Sequence, residues 1–299
     1  MALVTYLLQQ VVNGVTLGSI YALTAIGLSI VYGILRLINF AHGDVFMAGA
    51  YVALLLVAAV GGNFWLALLG AAVGAAALGV LIERGAYRPI RQAPEVAALI
   101  TSLAVSIFLE NTAIMVFTAH PRTFSVPAWL TDLHTVAGVL FNTLTVLTVA
   151  TAAVLMAGIH LFVTRTREGI AMQACAQNLL VAEMLGVDTA RIIMLAFAVG
   201  SALAAVAGAM LGAQYGRIDP FMGFLPGLKA FVAAVIGGIG SVPGAMVGGF
   251  VLGFAEILFV GLLPPDLSGY RDAFVFLLLI LVLLVRPRGL LGTMEERGV

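Results

Sequence analysis

The sequence has very little charge and almost no cysteine. Only 9% of its 299 residues are charged, whereas soluble domains carry about 25%, so the chain belongs in a membrane. The net charge is zero, which leaves no basic surface for a nucleic-acid partner. The single cysteine, Cys175, excludes an internal disulfide and a cysteine-based metal cluster. No second His or Cys lies at metal-ligand spacing from His42, so we expect no metal site.

Long apolar runs make up most of the chain, which is 62% hydrophobic. A spanning helix needs about 20 apolar residues, and nine runs are candidates: 10–35, 44–61, 63–82, 97–118, 139–163, 191–214, 226–239, 242–262 and 272–286. The run at 226–239 is too short to cross comfortably alone, which predicts a broken or re-entrant helix. The pattern predicts an all-α polytopic membrane protein with about 8–10 transmembrane segments, in one domain over residues 1–299.

The arginines that lie between these runs or at their ends predict the orientation. They fall mainly in two loops and the C-terminal tail: Arg84, Arg88 and Arg91; Arg165, Arg167 and Arg191; Arg286, Arg288 and Arg297. Cytoplasmic loops carry excess Lys and Arg, so all three regions should be cytoplasmic. With nine segments the N-terminus is then outside and the C-terminus cytoplasmic, and the loops at 119–138 and 264–272 are external.

A polar break interrupts the apolar pattern at residues 36–44, where it contains Arg36, Asn39, His42, Gly43 and Asp44. Polar groups at membrane depth are costly unless they are buried in protein or line water. Two interpretations fit the break. It forms an inner gate or an interhelical network, or it is a fixed cap in which Asn39 or Asp44 accepts helix-end amides and Arg36 faces the cytoplasm.

A second break is rich in glycine and contains Gly237, Gly238, Gly240, Pro243 and Gly244. Glycine permits a tight turn and close helix packing, and the broken helices of transporters use it in this way. The alternative is that the backbone carbonyls of this segment line a pore.

Two carboxylates, Glu110 and Glu256, and the single lysine, Lys229, lie inside the apolar runs. An intramembrane carboxylate is a functional candidate by default, and an ion-coupled carrier would use such groups. The alternative is a protonated or hydrogen-bonded residue that joins two helices. Lys229 is expected to extend its ammonium group to the outer face, and a role in substrate passage is a further hypothesis.

The loop at 164–190 is the least lipid-like segment of the second half. Helix formers and an apolar stripe predict one short amphipathic helix at 170–185, with Gly186 as its C-terminal stop and Asp188 or Thr189 as the next cap. The polar face carries Gln173, Gln177 and Glu183 rather than a row of basic residues. It therefore favours a docked protein partner over an interfacial helix on anionic lipid.

Four segments in order resemble one known family. They are residues 28–44 (LSIVYGILRLINFAHGD), 168–188 (with EGIAMQACAQN and MLGVD), 235–249 (VIGGIGSVPGAMVGG) and 286–292 (RPRGLLG). The family is the integral-membrane permeases of ABC importers for branched-chain amino acids. Four blocks over nearly the whole chain are far more specific than any single motif.

The resemblance implies a type II-like ABC importer permease fold, similar to that of the vitamin B12 importers, in a bacterial inner membrane. It also implies these partners: a second permease subunit, homologous or identical; two cytoplasmic ATPase subunits; an extracytoplasmic solute-binding protein; and the lipid bilayer. The ATPase subunits would use the ATP, and this chain would bind no cofactor. The chain itself has no Walker Gly-x-x-x-x-Gly-Lys-Ser/Thr motif, so it is not expected to be an enzyme.

In this family the helix at 170–185 would be the coupling helix that docks on an ATPase. The wider superfamily has a Glu-Ala-Ala-x-x-x-Gly loop, of which Ala182 and Gly186 match here while Leu180 and Val181 replace the first two residues. The substrate would be a branched-chain amino acid or a related small polar solute. The alternative function is an ion-coupled secondary transporter or channel that uses Glu110 or Glu256.

Overall fold

The described residues of the computed structural model, 2–91 and 93–292, form eleven α-helices. Their bounds are α1 Ala2–Leu35, α2 His42–Ala59, α3 Phe64–Ile82, α4 Glu95–Phe117, α5 Thr143–Arg165, α6 Arg167–Gln177, α7 Leu179–Met184, α8 Thr189–Tyr215, α9 Phe224–Gly237, α10 Val242–Leu262 and α11 Arg271–Val285. A π-helical turn at Glu83–Tyr87 extends α3, and 3₁₀ turns lie at Arg88–Ile90, Ala128–Leu130 and Pro265–Tyr270. Short strands pair antiparallel: β1 (Arg122–Thr123) with β4 (Arg217–Ile218), and β2 (Leu133–Val136) with β3 (Val139–Asn142) as a hairpin.

The nine predicted apolar runs correspond to α1–α5 and α8–α11, which confirms the all-α polytopic fold class. By length and composition, seven helices in the described part of the chain can cross a membrane: α1 to α5, α8 and α10. The other two are shorter, with 14 residues in α9 and 15 in α11. Two boundaries differ from the predictions. The run at 139–163 begins as strand β3, and α1 begins well before residue 10.

Helix α1 is the centre of the bundle. Its most apolar stretch is 83% buried, whereas the corresponding stretches of α4 and α5 are only 17% buried. Helices α8, α9 and α10 pack around α1, and α2 and α3 pack on α8. Small residues permit these close approaches: a Cβ added at Gly27 of α1 would lie 2.6 Å from the carbonyl oxygen of Gly200 in α8.

The bundle has two chemically different ends. We call one of them the basic end. There the turn after α3 contacts the segment after α1 through Tyr87 and Asn39. The same turn contacts the start of α8 through Arg84 and Met194. Helices α6 and α7 and the loop arginines lie there too. At the opposite end, the hairpin end, Gln9 near the start of α1 exchanges two hydrogen bonds of 2.9 Å with the backbone of Leu140 in β3.

Candidate functional site

The first break is a short irregular segment between Leu35 and His42 that runs from an exposed Arg36 to a buried Ala41. Arg36 is exposed and has a φ of 54°, in the left-handed region. Asn39, His42 and Asp44 are 5%, 2% and 1% exposed. These three side chains are therefore enclosed by protein, which avoids the cost of facing lipid.

Hydrogen bonds join the break to two other parts of the chain. The Tyr87 hydroxyl donates to Oδ1 of Asn39 at 2.8 Å. Nε2 of His42 lies 3.1 Å from the carbonyl oxygen of Thr24, an acceptor, so this ring nitrogen donates. Because Thr24 lies well before the end of α1, the chain has turned back into the bundle before α2 begins.

The structure contradicts the cap proposed in the second interpretation of the break, although Arg36 is exposed. The N-cap residue of α2 is Ala41, and no side chain makes a cap hydrogen bond there. Asn39 accepts from Tyr87 instead, and Asp44 lies within the first turn of α2, with its carboxyl beside the Ser106 hydroxyl of α4. Oδ1 of Asp44 is buried without a hydrogen-bond partner. The polar residues of the break thus connect helices, and their role as an inner gate stays a prediction.

Gly43 brings the break against the start of α9. A Cβ at this position would collide with the carbonyl oxygen of Gly223 and lie 3.2 Å from Cα of Gly227. Since α9 begins at Phe224, the first turns of α2 and α9 touch each other inside the bundle. This geometry agrees with the prediction of a broken helix at 226–239.

The glycine-rich break separates α9 from α10 and holds the end of the described chain. Gly238 and Gly240 have φ values of 111° and 85°, which L side chains rarely adopt. Ser241 then caps α10 by accepting from the N–H of Gly244, and Pro243 lies in the first turn of α10. The backbone of Gly237 packs directly against that of Gly244.

The segment after α11 docks on the end of α9. The N–H groups of Leu290 and Leu291 donate to the carbonyl oxygens of Ile236 and Gly237, each at 2.8 Å. These carbonyls lie in the last turn of α9 and would otherwise lack helical partners. The RPRGLLG segment is therefore structurally coupled to the glycine-rich break.

The two breaks meet at α1. Oγ of Ser29 accepts the N–H of Gly240 at 3.0 Å. A Cβ at Gly33 would lie 3.4 Å from Cα of Gly240. The glycine-rich break is thus in direct contact with the last turns of α1, next to the polar break. The packing role predicted for the glycines agrees with these contacts.

Glu256 and Lys229 form a buried ion pair. Nζ of Lys229 lies 2.7 Å from Oε1 of Glu256 and 2.7 Å from Oδ1 of Asp272. The Tyr21 hydroxyl donates to Oε2 of Glu256 at 2.9 Å. Lys229 is only 3% exposed, so the prediction that its ammonium extends to the outer face is wrong: the carboxylates of Glu256 and Asp272 replace water around it.

Glu256 therefore connects helices, which agrees with the alternative interpretation of a hydrogen-bonded residue at a helix interface. It connects α10 to α9, α1 and the first turn of α11. Sequence reasoning missed Asp272 and Tyr21 as its neighbours, because nothing in either local pattern indicates a partner in a distant helix.

Glu110 has a different environment. It is partly exposed on α4, one turn beyond Ser106, and its charge acts on the carboxyl of Asp44. Sequence reasoning also missed Glu83, which is 1% exposed and ion-paired with Arg91 in the loop after α3. The pair explains how an acidic residue is tolerated in the buried last turn of this span.

The loop at 164–190 contains two helices, which corrects the single helix predicted at 170–185. Asn178 interrupts it and caps α7, accepting from the N–H of Val181 at 3.0 Å. Thr166 caps α6, and Asp188 caps α8, as one of the two predicted caps. Gly186 has a φ of 85° and ends the turn after α7.

The predicted contact residues of this loop differ in accessibility. Gln177 and Glu183 are exposed. Gln173 is also exposed, but its amide donates to the carbonyl oxygen of Val163 at 2.7 Å and ties α6 to α5. Ala182 is 2% exposed, so its methyl group packs inward.

Exposed apolar side chains lie beside Glu183 on α7 and on the residue that follows the helix. Leu180, Met184 and Leu185 are 73%, 86% and 79% exposed at the basic end. Exposed apolar patches on soluble surfaces mark protein or membrane interaction sites.

A bundle with broken helices, glycine-lined breaks and a surface helix pair has the features of a transport permease. The family model described as branched-chain amino acid transport system, permease component, matches residues 10–283. The chain belongs to this family, which confirms the resemblance.

Individual relatives cover nearly the full length. The high-affinity branched-chain amino acid transport system permease protein LivH of Escherichia coli K12 is 45% identical, over 98% of each chain. The corresponding protein BraD of Pseudomonas aeruginosa is 44% identical, over 98% of each chain. The permease protein LivM of Escherichia coli K12 is 28% identical, over 92% of this chain and 68% of LivM.

Proposed function

We propose that this chain is the membrane subunit of an ABC importer that translocates branched-chain amino acids by alternating access. The observation that carries the proposal is the end-to-end similarity to LivH and BraD, each named as a high-affinity branched-chain amino acid permease. The family blocks of the sequence also coincide with the two breaks, the α6–α7 loop and the docked tail.

The bacterial inner membrane is the proposed location, with the basic end in the cytoplasm. Arg84, Arg88, Arg165 and Arg167 gather there, as the excess of basic residues in cytoplasmic loops requires. The hairpin end then faces outward and would receive substrate from a solute-binding protein. The N-terminus is outside and the C-terminus cytoplasmic in this arrangement.

Two cytoplasmic ATPase subunits are proposed to dock on the basic end and to use the ATP. The support is the exposed apolar surface of α7 formed by Leu180, Met184 and Leu185. Beside it, α6 packs against α5, α1 and α8. Movement of an ATPase would reach the bundle through these contacts.

The second permease subunit is proposed to be a different, LivM-like chain. Escherichia coli K12 has two proteins named as permeases of the high-affinity branched-chain system, LivH and LivM, and this chain is clearly more similar to LivH. The largely exposed apolar faces of α4 and α5 offer area for such a partner or for lipid.

The ion-coupled alternative is less well supported. Glu256 is engaged by Lys229 and Tyr21, so binding a coupling cation would require breaking a buried ion pair. The test is reconstitution of the chain with its partner subunits in liposomes. Leucine uptake should require ATP and the solute-binding protein and should be unaffected by collapsing ion gradients. Uptake by this chain alone under an ion gradient would overturn the proposal.

Coupling is tested separately by Met184→Asp, which puts a charge on the exposed surface of α7. ATP hydrolysis should continue while leucine uptake falls, because the ATPase no longer engages the helix. Leu133→Asp is the matched control, since Leu133 is 75% exposed at the hairpin end. Substitutions at Ala182 or Gly186 are less suitable, because burial and a φ of 85° make them structural changes. Wild-type uptake by Met184→Asp would contradict the docking proposal.

A further inference from the structure

A cavity of about 350 Å³ opens among α1, α8, α9 and α11. Its wall includes Tyr215, the last residue of α8, and Arg271, the first residue of α11. Both positions lie at the helix ends remote from α6 and α7, so the cavity belongs to the hairpin end. Its volume is in the range of small-molecule sites, about 300–1,000 Å³.

Part of the cavity wall is apolar. Its apolar lining residues are Leu17, Leu211, Phe221, Met222, Leu225 and Pro226. Such a wall binds an aliphatic side chain by removing its surface from water.

The charged groups around the cavity balance. The cations Lys229, Arg217 and Arg271 line it, together with the anion Asp219. Glu256 and Asp272 lie directly behind Lys229 and Arg271, within 2.7–3.8 Å. Three positive and three negative groups therefore surround the space, which suits a ligand with one charge of each sign.

The six charges are not equally engaged. Below the cavity, Nζ of Lys229 and Oε1 of Glu256 form an ion pair at 2.7 Å. Arg217 and Asp219 have no ion-pair partner within residues 2–91 and 93–292, and Asp219 accepts only the N–H of Phe221 through Oδ1. Arg271 is held at 3.7 Å from Glu256, with 47% of its side chain exposed. The cavity thus offers guanidinium donors and a carboxylate acceptor to a ligand.

The start of α9 adds to this polarity. Leu225 and Pro226 of the cavity wall lie in its first turn. The positive end of the helix dipole favours a carboxylate nearby.

We propose that this cavity is a binding site for a zwitterionic α-amino acid with an aliphatic side chain, on the outer part of the import path. The ligand carboxylate contacts Arg217 and Arg271, its ammonium contacts Asp219, and its side chain lies against the apolar wall. The site rests on the proposed function, whose substrate it would receive from the solute-binding protein.

The test is protection of a cysteine placed in the cavity wall. Leu225→Cys is made in a Cys175→Ser background, so that it is the only cysteine of the chain. The full-length variant is assembled with its partner subunits in right-side-out vesicles. It is then labelled with a membrane-impermeant maleimide. Leucine at about ten times its Kd should slow labelling about tenfold. The matched control is Leu133→Cys, on the hairpin outside the cavity, whose labelling should not change.

Ligand analogues test the two charges. The probes are 4-methylpentanoate, which lacks the ammonium, and 3-methylbutylamine, which lacks the carboxylate. Each should need at least about tenfold more ligand for half protection, because a charge-assisted hydrogen bond is lost. Arg271→Gln should weaken protection by leucine to a similar extent, whereas Arg122→Gln, an arginine at the same end outside the cavity lining, should not.

The outcomes separate the site from the transport function. Leucine-dependent protection selective for the zwitterion supports the site, even if uptake proves to be ion-driven. Equal protection by the three ligands, or none by leucine in vesicles that accumulate leucine with ATP, would overturn the site and leave the importer proposal intact.

Discussion

Replacing Lys229 with methionine should destabilise the folded chain measurably. The substitution retains a long apolar side chain but removes the ammonium that lies 2.7 Å from both Glu256 and Asp272. Glu256 would remain buried, at 2% exposed, with the Tyr21 hydroxyl and the more distant Arg271 as neighbours.

The magnitude follows from the burial and from the remaining neighbours. Breaking a buried ion pair by removing one partner costs about 3–5 kcal/mol in soluble proteins. In membranes interhelical polar contacts are worth less, on average about 0.6 kcal/mol, because the unfolded reference also finds partners. Arg271 at 3.7 Å supplies part of the missing charge. We therefore expect a loss of about 2 kcal/mol, or about 3 °C in Tm for a chain of this length.

The assay is thermal unfolding of the purified chain in detergent. Arg271→Met is the matched control: its side chain is 47% exposed, so the change should cost under about 1 kcal/mol. The double variant Lys229→Met with Glu256→Gln should recover part of the loss, because no uncompensated carboxylate remains at position 256. An unchanged Tm for Lys229→Met, or strictly additive effects in the double variant, would refute the reasoning.

Two other predictions concern packing. Gly43→Val should lower stability by about 1–3 kcal/mol, because the valine side chain would meet the backbone at the start of α9. The control is Gly158→Ala, in open space on α5, which should be neutral or stabilising in the same unfolding assay. Equal effects of the two variants would contradict the contact between Gly43 and α9. Burial raises the pKa of the Cys175 thiol. At pH 8 a maleimide should therefore modify this thiol far more slowly in the native chain than in the denatured chain. Equal rates would contradict the burial of Cys175, because they would show that the thiol is accessible.

The sequence by itself determined the helices that span and the places where they break. In lipid each segment must satisfy its own backbone hydrogen bonds, so the length and polarity of a run decide whether it forms a spanning helix. The short run at 226–239 was predicted to be broken for this reason, and α9 does begin inside the bundle, against Gly43. The family blocks indicated transport independently of any contact.

Only the tertiary structure decided which polar groups meet. Asn39 pairs with Tyr87 instead of capping α2, and Lys229 turns inward to Glu256 and Asp272. The cavity likewise joins residues from α1, α8, α9 and α11. These partners are far apart in the chain, and their meeting depends on how closely the helix backbones approach. Each buried charge needs a partner, but a local pattern records only the charge itself; the packing of the bundle supplies the partner.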